Sequence, residues 1–168
     1  MLVLGIDPGI AITGYGLVTV DPEGNPALVA FGVINATAVS TNSSRLLFIY
    51  EHLHEIIAEF QPTHAAMEKV FFQKNLKTVS AVSEARGVIT LCLEQAGLPI
   101  AEYTPNEVKL SVTSYGNAGK AQVQEMVRVL LGMDAIPKPD DAADALAVAM
   151  CHIGYINFTN HAADGYEA

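Results

Sequence analysis

Three strand-like segments fall within the first 35 residues, and the gaps between them leave one simple way to pair. Residues 2–7, "LVLGID", are an apolar run ending on a carboxylate. Residues 12–20, "ITGYGLVTV", alternate and are rich in β-branched side chains, the mark of a strand. Residues 27–35, "ALVAFGVIN", follow after "DPEGNP", whose Asp, Pro, Gly and Asn are turn formers. A parallel crossover takes a dozen or more residues, so these strands are expected to form an antiparallel meander.

Downstream the pattern changes to helices and strands in alternation. Apolar residues at 46, 49, 50, 53, 56, 57 and 60 have helical spacing, with Ser43 or Ser44 as the expected cap. "AAMEKV" (65–70) reads as a short fourth strand, about 75–96 as a long helix closed by Gly97, and "LPIAEYT" as a fifth strand. Thr104, Pro105 and Glu107 spell a capping box with proline at the first helical position. Lys120 to Leu131 reads as a helix stopped by Gly132, and Asp140 opens a last helix. The expected class is α/β: a mixed five-stranded sheet flanked by helices, in one domain over 1–157, with a polar, loose tail at 158–168.

Four acids stand out against this frame. Asp7 ends the first strand and Glu68 lies in the apolar fourth. Asp141 and Asp144 are three apart in the first turn of the last helix, so both can project from one face. If strands one and four are neighbours and the last helix crosses their ends, all four converge. Taken singly, each has an ordinary explanation: a turn at Asp7, a helix-dipole partner at Asp141 or Asp144, and Asp140 as an N-cap. Together they resist joint ionisation, a conflict that a hard cation bound by oxygen ligands removes. Gly5, Gly9, Gly14 and Gly16 then have a purpose, letting bulky backbone approach Asp7.

The segments "GIDPGIAITGYG" (5–16), "MEKVFFQKN" (67–75), "ARGV" (85–88), "GNAGKAQVQEMV" (116–127) and "DDAADALAVA" (140–149) together resemble the RuvC family of Holliday junction resolvases. The resemblance runs from Met1 to about residue 157. It implies a ribonuclease H-like fold and a homodimer that resolves four-way DNA junctions by paired symmetric nicks in recombination and repair. It further implies two Mg²⁺ ions per site, with Mn²⁺ able to substitute, and cooperation with the RuvA–RuvB branch-migration complex. By position, Asp7, Glu68, Asp141 and Asp144 are the implied catalytic, metal-binding acids. Lys120 is an implied active-site and DNA-contacting lysine, and Lys109 an implied DNA-contacting one. Phe71, with Phe72 as second candidate, is the implied aromatic that stacks on a base. Lys74, Lys77 and Arg86 are implied DNA-backbone contacts. The helix near 76–96, apolar on more than one face, is the implied dimer interface.

Charge neither demands nor forbids such a partner. The net charge is -9, yet residues 64–128 hold seven of the nine cations against six acids. Cys92 and Cys151 lie in helix-like apolar patterns and are expected as buried thiols, which suits a reducing cytoplasm. No apolar stretch is long enough to span a bilayer, and the first cation, Arg45, comes too late for a signal peptide. The rivals are another ribonuclease H-like nuclease acting on RNA–DNA hybrid or structured RNA, an actin-like ATPase or sugar kinase, and a silent junction-binding module. The chain is short for the two domains of the kinase fold. "FFQKN" and "GNAGKAQVQ" favour the junction over the hybrid, and the intact acid set disfavours a silent module.

Overall fold

The computed structural model describes residues 1–69 and 76–164, with the backbone path alone for 76–79 and 160–164. The first three strands are β1 (Leu2–Asp7), β2 (Ile12–Val20) and β3 (Pro26–Asn35), joined as the antiparallel meander the short turns demand. The turn into β3 is closed by Asp21, whose Oδ1 accepts from the Asn25 N–H at 2.7 Å, and by Gly24 at φ 90°. Helix α1 (Asn42–Phe60) leads to β4 (His64–Glu68), which lies parallel to β1. Helix α2 (Leu76–Gln95) leads to β5 (Ile100–Tyr103), parallel to β4. The sheet order is β3-β2-β1-β4-β5. Helices α3 (Pro105–Thr113), α4 (Lys120–Leu130) and α5 (Asp140–Asp164) complete the chain.

The predicted capping box is present: Thr104 Oγ1 accepts from the Glu107 N–H, and the Glu107 carboxylate accepts from the Thr104 N–H. The cap of α1 is Thr41 rather than Ser43 or Ser44, because its Oγ1 reaches the Ser44 N–H. Described β4 ends at Glu68, two residues before the predicted end; Val70 lies outside the described residues. The last helix runs to Asp164, well past residue 157, since "FTNHAAD" contains no glycine or proline to stop it.

Alternation along the strands sorts the core into two layers. Val3, Val18, Ala66 and Tyr103 face α3, α4 and α5. Leu4, Ile6, Leu17 and Met67 face α1 and α2, meeting Ile49, Leu53, Ile89 and Leu93. Asp7 shares its parity with Val3, and Glu68 shares its parity with Ala66. Both acids therefore point to the α5 side. Cys92 and Cys151 are free, buried thiols, as expected.

Helix α5 is the element that makes the site. It is buried nearly all round in its first half, and its buried side chains there are mostly alanine. The sheet beneath it is as bare as the helix. A Cβ on Gly14 would run into the carbonyl oxygen of Asp141, and one on Gly5 into that of Ala145. A Cβ on Gly16 would stand 2.7 Å from Leu146 Cδ2. Gly9 differs: its Cβ would strike the carbonyl of Ile12 within its own turn. Small residues on both sides thus let the backbone of α5 rest directly on β1 and β2.

Candidate active site

Asp7 and Glu68 end two adjacent parallel strands. Ile6 pairs with Met67, so the two acids are the next residues on each strand. The carboxyl ends of parallel strands are where open α/β sheets place their ligand crevice. Asp7 also faces Gly14 in the antiparallel register. Gly14 is the position on which the Asp141 carbonyl rests, so the first turn of α5 starts beside Asp7. One turn on, Asp144 lines a cleft of about 200 Å³ together with Asp7, Glu68, Lys109 and Lys120. Pro105 and Val108 of α3, Val123 of α4 and Val148 of α5 supply apolar wall.

Charge in the cleft is unbalanced. Burial pushes the Asp7 carboxyl up to about 7, and the nearby Asp144, Asp141 and Glu68 carboxylates add to the rise. Glu68 is also raised, first by burial and then by Asp144, against the pull of Lys109 and Lys120. Lys120 Nζ donates to Asp144 Oδ2 at 2.9 Å and lies 3.6 Å from Asp140 Oδ2. That hydrogen bond holds the Lys120 ammonium above its ordinary range. Asp140 is ion-paired in turn to Lys138 at 3.0 Å. A half-buried acid that feels the charge of three others is a site that favours added positive charge.

The sequence expectations meet this geometry unevenly. Asp7, Glu68, Asp144 and Lys120 share the cleft, as does Lys109, whose simplest sequence reading is a solvated helix lysine. Asp141 does not line the cleft, although its charge reaches Asp7. As placed, no three His, Cys, Asp or Glu side chains among the described residues converge closely enough to cage a metal ion. The donor set is nonetheless the all-oxygen kind suited to Mg²⁺, which takes one or two protein carboxylates and fills its shell with water and substrate phosphate.

Arg86 is turned inward, onto Glu68 and Glu102. Its side chain is 16% exposed, its Nη1 donates to the Glu68 carbonyl at 2.6 Å, and its Nη2 is paired with Glu102. Sequence reasoning missed Glu102, and also the pairing of Asp140 with Lys138 and Lys120. For the second, the string "KPDD" carried a signal, a lysine two residues from an acid at a helix start. For the first there was none, because Arg86 and Glu102 meet only across two elements. Phe71, Phe72 and Lys74 lie outside the described residues, as does the side chain of Lys77.

Comparison with known proteins points one way. A family model described as "Crossover junction endodeoxyribonuclease RuvC" matches residues 3–152. The RuvC of Heliobacterium modesticaldum is 52% identical over 151 residues, covering 90% of this chain and 93% of that protein. That of Caldicellulosiruptor saccharolyticus is 52% identical over 153 residues, covering 91% and 92%. Among solved structures, T. thermophilus RuvC in complex with a Holliday junction substrate superposes with a TM-score of 0.89 at 33% identity, covering 95% of this chain and 96% of that one.

Proposed function

This chain belongs to the RuvC family of crossover junction endodeoxyribonucleases, and on that premise we propose that it resolves four-way DNA junctions by paired symmetric nicks, in recombination and repair. The observation that carries the reading is the single cleft in which Asp7, Glu68 and Asp144 meet Lys109 and Lys120 at the carboxyl ends of β1 and β4.

Asp7, Glu68, Asp141 and Asp144 are the proposed ligands of two Mg²⁺ ions, replaceable by Mn²⁺. When bound, the ions supply Lewis acidity to both sides of the scissile phosphodiester. The protein's own groups do the rest. Burial keeps Asp7 short of solvation, so its charge is available to a cation at small cost in lost water. Lys120, 55% exposed at the start of α4, is free to trade Asp144 for a phosphate oxygen. Lys109 offers a second positive charge to the scissile strand. The apolar wall of Pro105, Val108 and Val123 limits water around the acids and strengthens their field.

For DNA engagement, Phe71 or Phe72 is the proposed base-stacking aromatic, and Lys74 and Lys77 the proposed backbone contacts. A homodimer joined along α2 gives two equivalent sites for two strands of like polarity. Cooperation with a RuvA–RuvB complex completes the reading. The deciding experiment is cleavage of synthetic four-way junctions beside matched duplexes and RNA–DNA hybrids, with and without Mg²⁺. Symmetric nicks confined to the junction, and only with the metal, are expected. Preferential cutting of the hybrid would replace the reading with that of another ribonuclease H-like nuclease.

A further inference from the structure

Glu68 stands at a weakly supported corner of the sheet. The described pairing of β1 with β4 ends at Ile6 and Met67, one residue short of it. Among the described residues its remaining strand partner is Tyr103 on β5, and the last described bond there runs from the Lys69 N–H to the Tyr103 carbonyl at 2.7 Å. A carboxylate that must point into the cleft therefore rides on the last residue of a strand.

One side chain ties that corner down. Arg86 Nη1 donates to the Glu68 carbonyl at 2.6 Å, and Nη2 to the Glu102 carboxylate. Glu102 is the register partner of Met67, the residue before Glu68. Ala85, next to Arg86 on α2, is fully buried, so this turn of the helix is anchored in the core. A single guanidinium thus links α2, the end of β4 and β5. Its rigid planar fork suits two acceptors in fixed directions better than a flexible ammonium does.

We infer that Arg86 and Glu102 are a positioning pair that fixes the peptide of Glu68 and so the direction of its carboxylate in the cleft. The inference rests on the reading of Glu68 as a metal ligand. Neither residue lines the cleft, so the pair acts through Glu68. A ligand loosened by about an ångström loses much of its pull on a cation, and partners behind a ligand are typically worth roughly 10–100-fold in metal affinity.

The test is calorimetric titration of Mn²⁺ into the free protein, beside junction binding in EDTA and a melting curve. Arg86→Gln and Glu102→Gln should each weaken Mn²⁺ binding roughly 10–100-fold, with junction affinity held within about twofold. The double variant should be no worse than the worse single one, because the two residues form one tie. A phosphate-contact role for Arg86 predicts the opposite pattern. Arg86→Gln then loses junction affinity, Arg86→Lys regains it, and Glu102→Gln binds Mn²⁺ as the wild type does; that pattern overturns the inference. Should Arg86→Gln fail to fold, Glu102→Gln carries the test, since it changes a half-exposed side chain and removes no cation. Glu68→Gln separates the two levels. Wild-type Mn²⁺ affinity in Glu68→Gln would sink the reading of Glu68 itself. Lost affinity there, with both tie variants unchanged, would sink the positioning pair alone.

Discussion

At the scale of the residue, the cleft is governed by a buried acid, Asp7, whose nearby charges are mostly those of other acids. Asp7→Asn and Glu68→Gln keep the shape but remove a charge. Each should slow cleavage by on the order of 100–1,000-fold while junction binding persists, as measured by single-turnover nicking beside a gel shift. Asp7 also sets a pH dependence. Its folded value of about 7 lies above the ordinary 3.8, so in the metal-free protein the native state keeps a proton that the unfolded chain has lost. Stability from this group is present below pH 4, declines as pH rises from 4 to 7, and stays low above. The loss is at most about 4 kcal/mol, at about 1.4 kcal/mol per unit. Denaturant melts of the metal-free protein at pH 5 and pH 8 should show the decline, and Asp7→Asn should flatten it.

At the scale of the element, the contact of α5 with β1 and β2 decides whether a site exists. Gly14→Ala would place a methyl group against the Asp141 carbonyl, with backbone rather than a movable side chain in the way. Overpacking of this kind costs about 1–3 kcal/mol, and here it would also lift the first turn of α5 away from Asp7. A lower melting temperature together with a disproportionate loss of cleavage is expected. Gly87→Ala is the contrasting case. Gly87 is inside α2 with nothing within 4 Å of an added Cβ, so the monomer should gain about 0.5–1 kcal/mol from helix propensity. Leu91, one turn along the same helix, is 54% exposed, an exposure that suits the proposed dimer face. Leu91→Asp should therefore shift sedimentation toward monomer with little change in the melting curve.

At the scale of the whole molecule, one chain supplies one set of the four acids, and resolution of a junction takes two cuts. A mixed dimer of wild-type and Asp7→Asn chains, given a junction in a supercoiled plasmid, should yield nicked circles, whereas wild-type dimers should yield linear product. Linear product from the mixed dimer would end the two-site reading. The net charge of -9 bears on the same scale. With only nine cations, a handful of phosphate contacts must do the binding, and affinity should fall steeply between 50 and 200 mM salt, as a filter-binding series would show.

The sequence by itself determined the elements and their chemistry. The turn at "DPEGNP", the capping box at Thr104 and the apolar alternation of β1 and β2 are local, with causes that lie within a few residues, so they could be read directly. The pairing of Asp7 with Glu68 was half legible, since strand parity is local but the adjacency of β1 and β4 is not. Tertiary structure alone decided the rest. It kept Asp141 out of the cleft lining while Asp144, about one turn further along the same helix, entered. It brought Lys109 into the cleft and turned Arg86 back onto the Glu68 carbonyl. The physical reason is common to all three. Where a side chain points depends on which backbone it meets across the fold, and here that was set by the close seat of α5 on Gly5 and Gly14, by the packing of α3 on α5 and by the approach of α2 to the ends of β4 and β5.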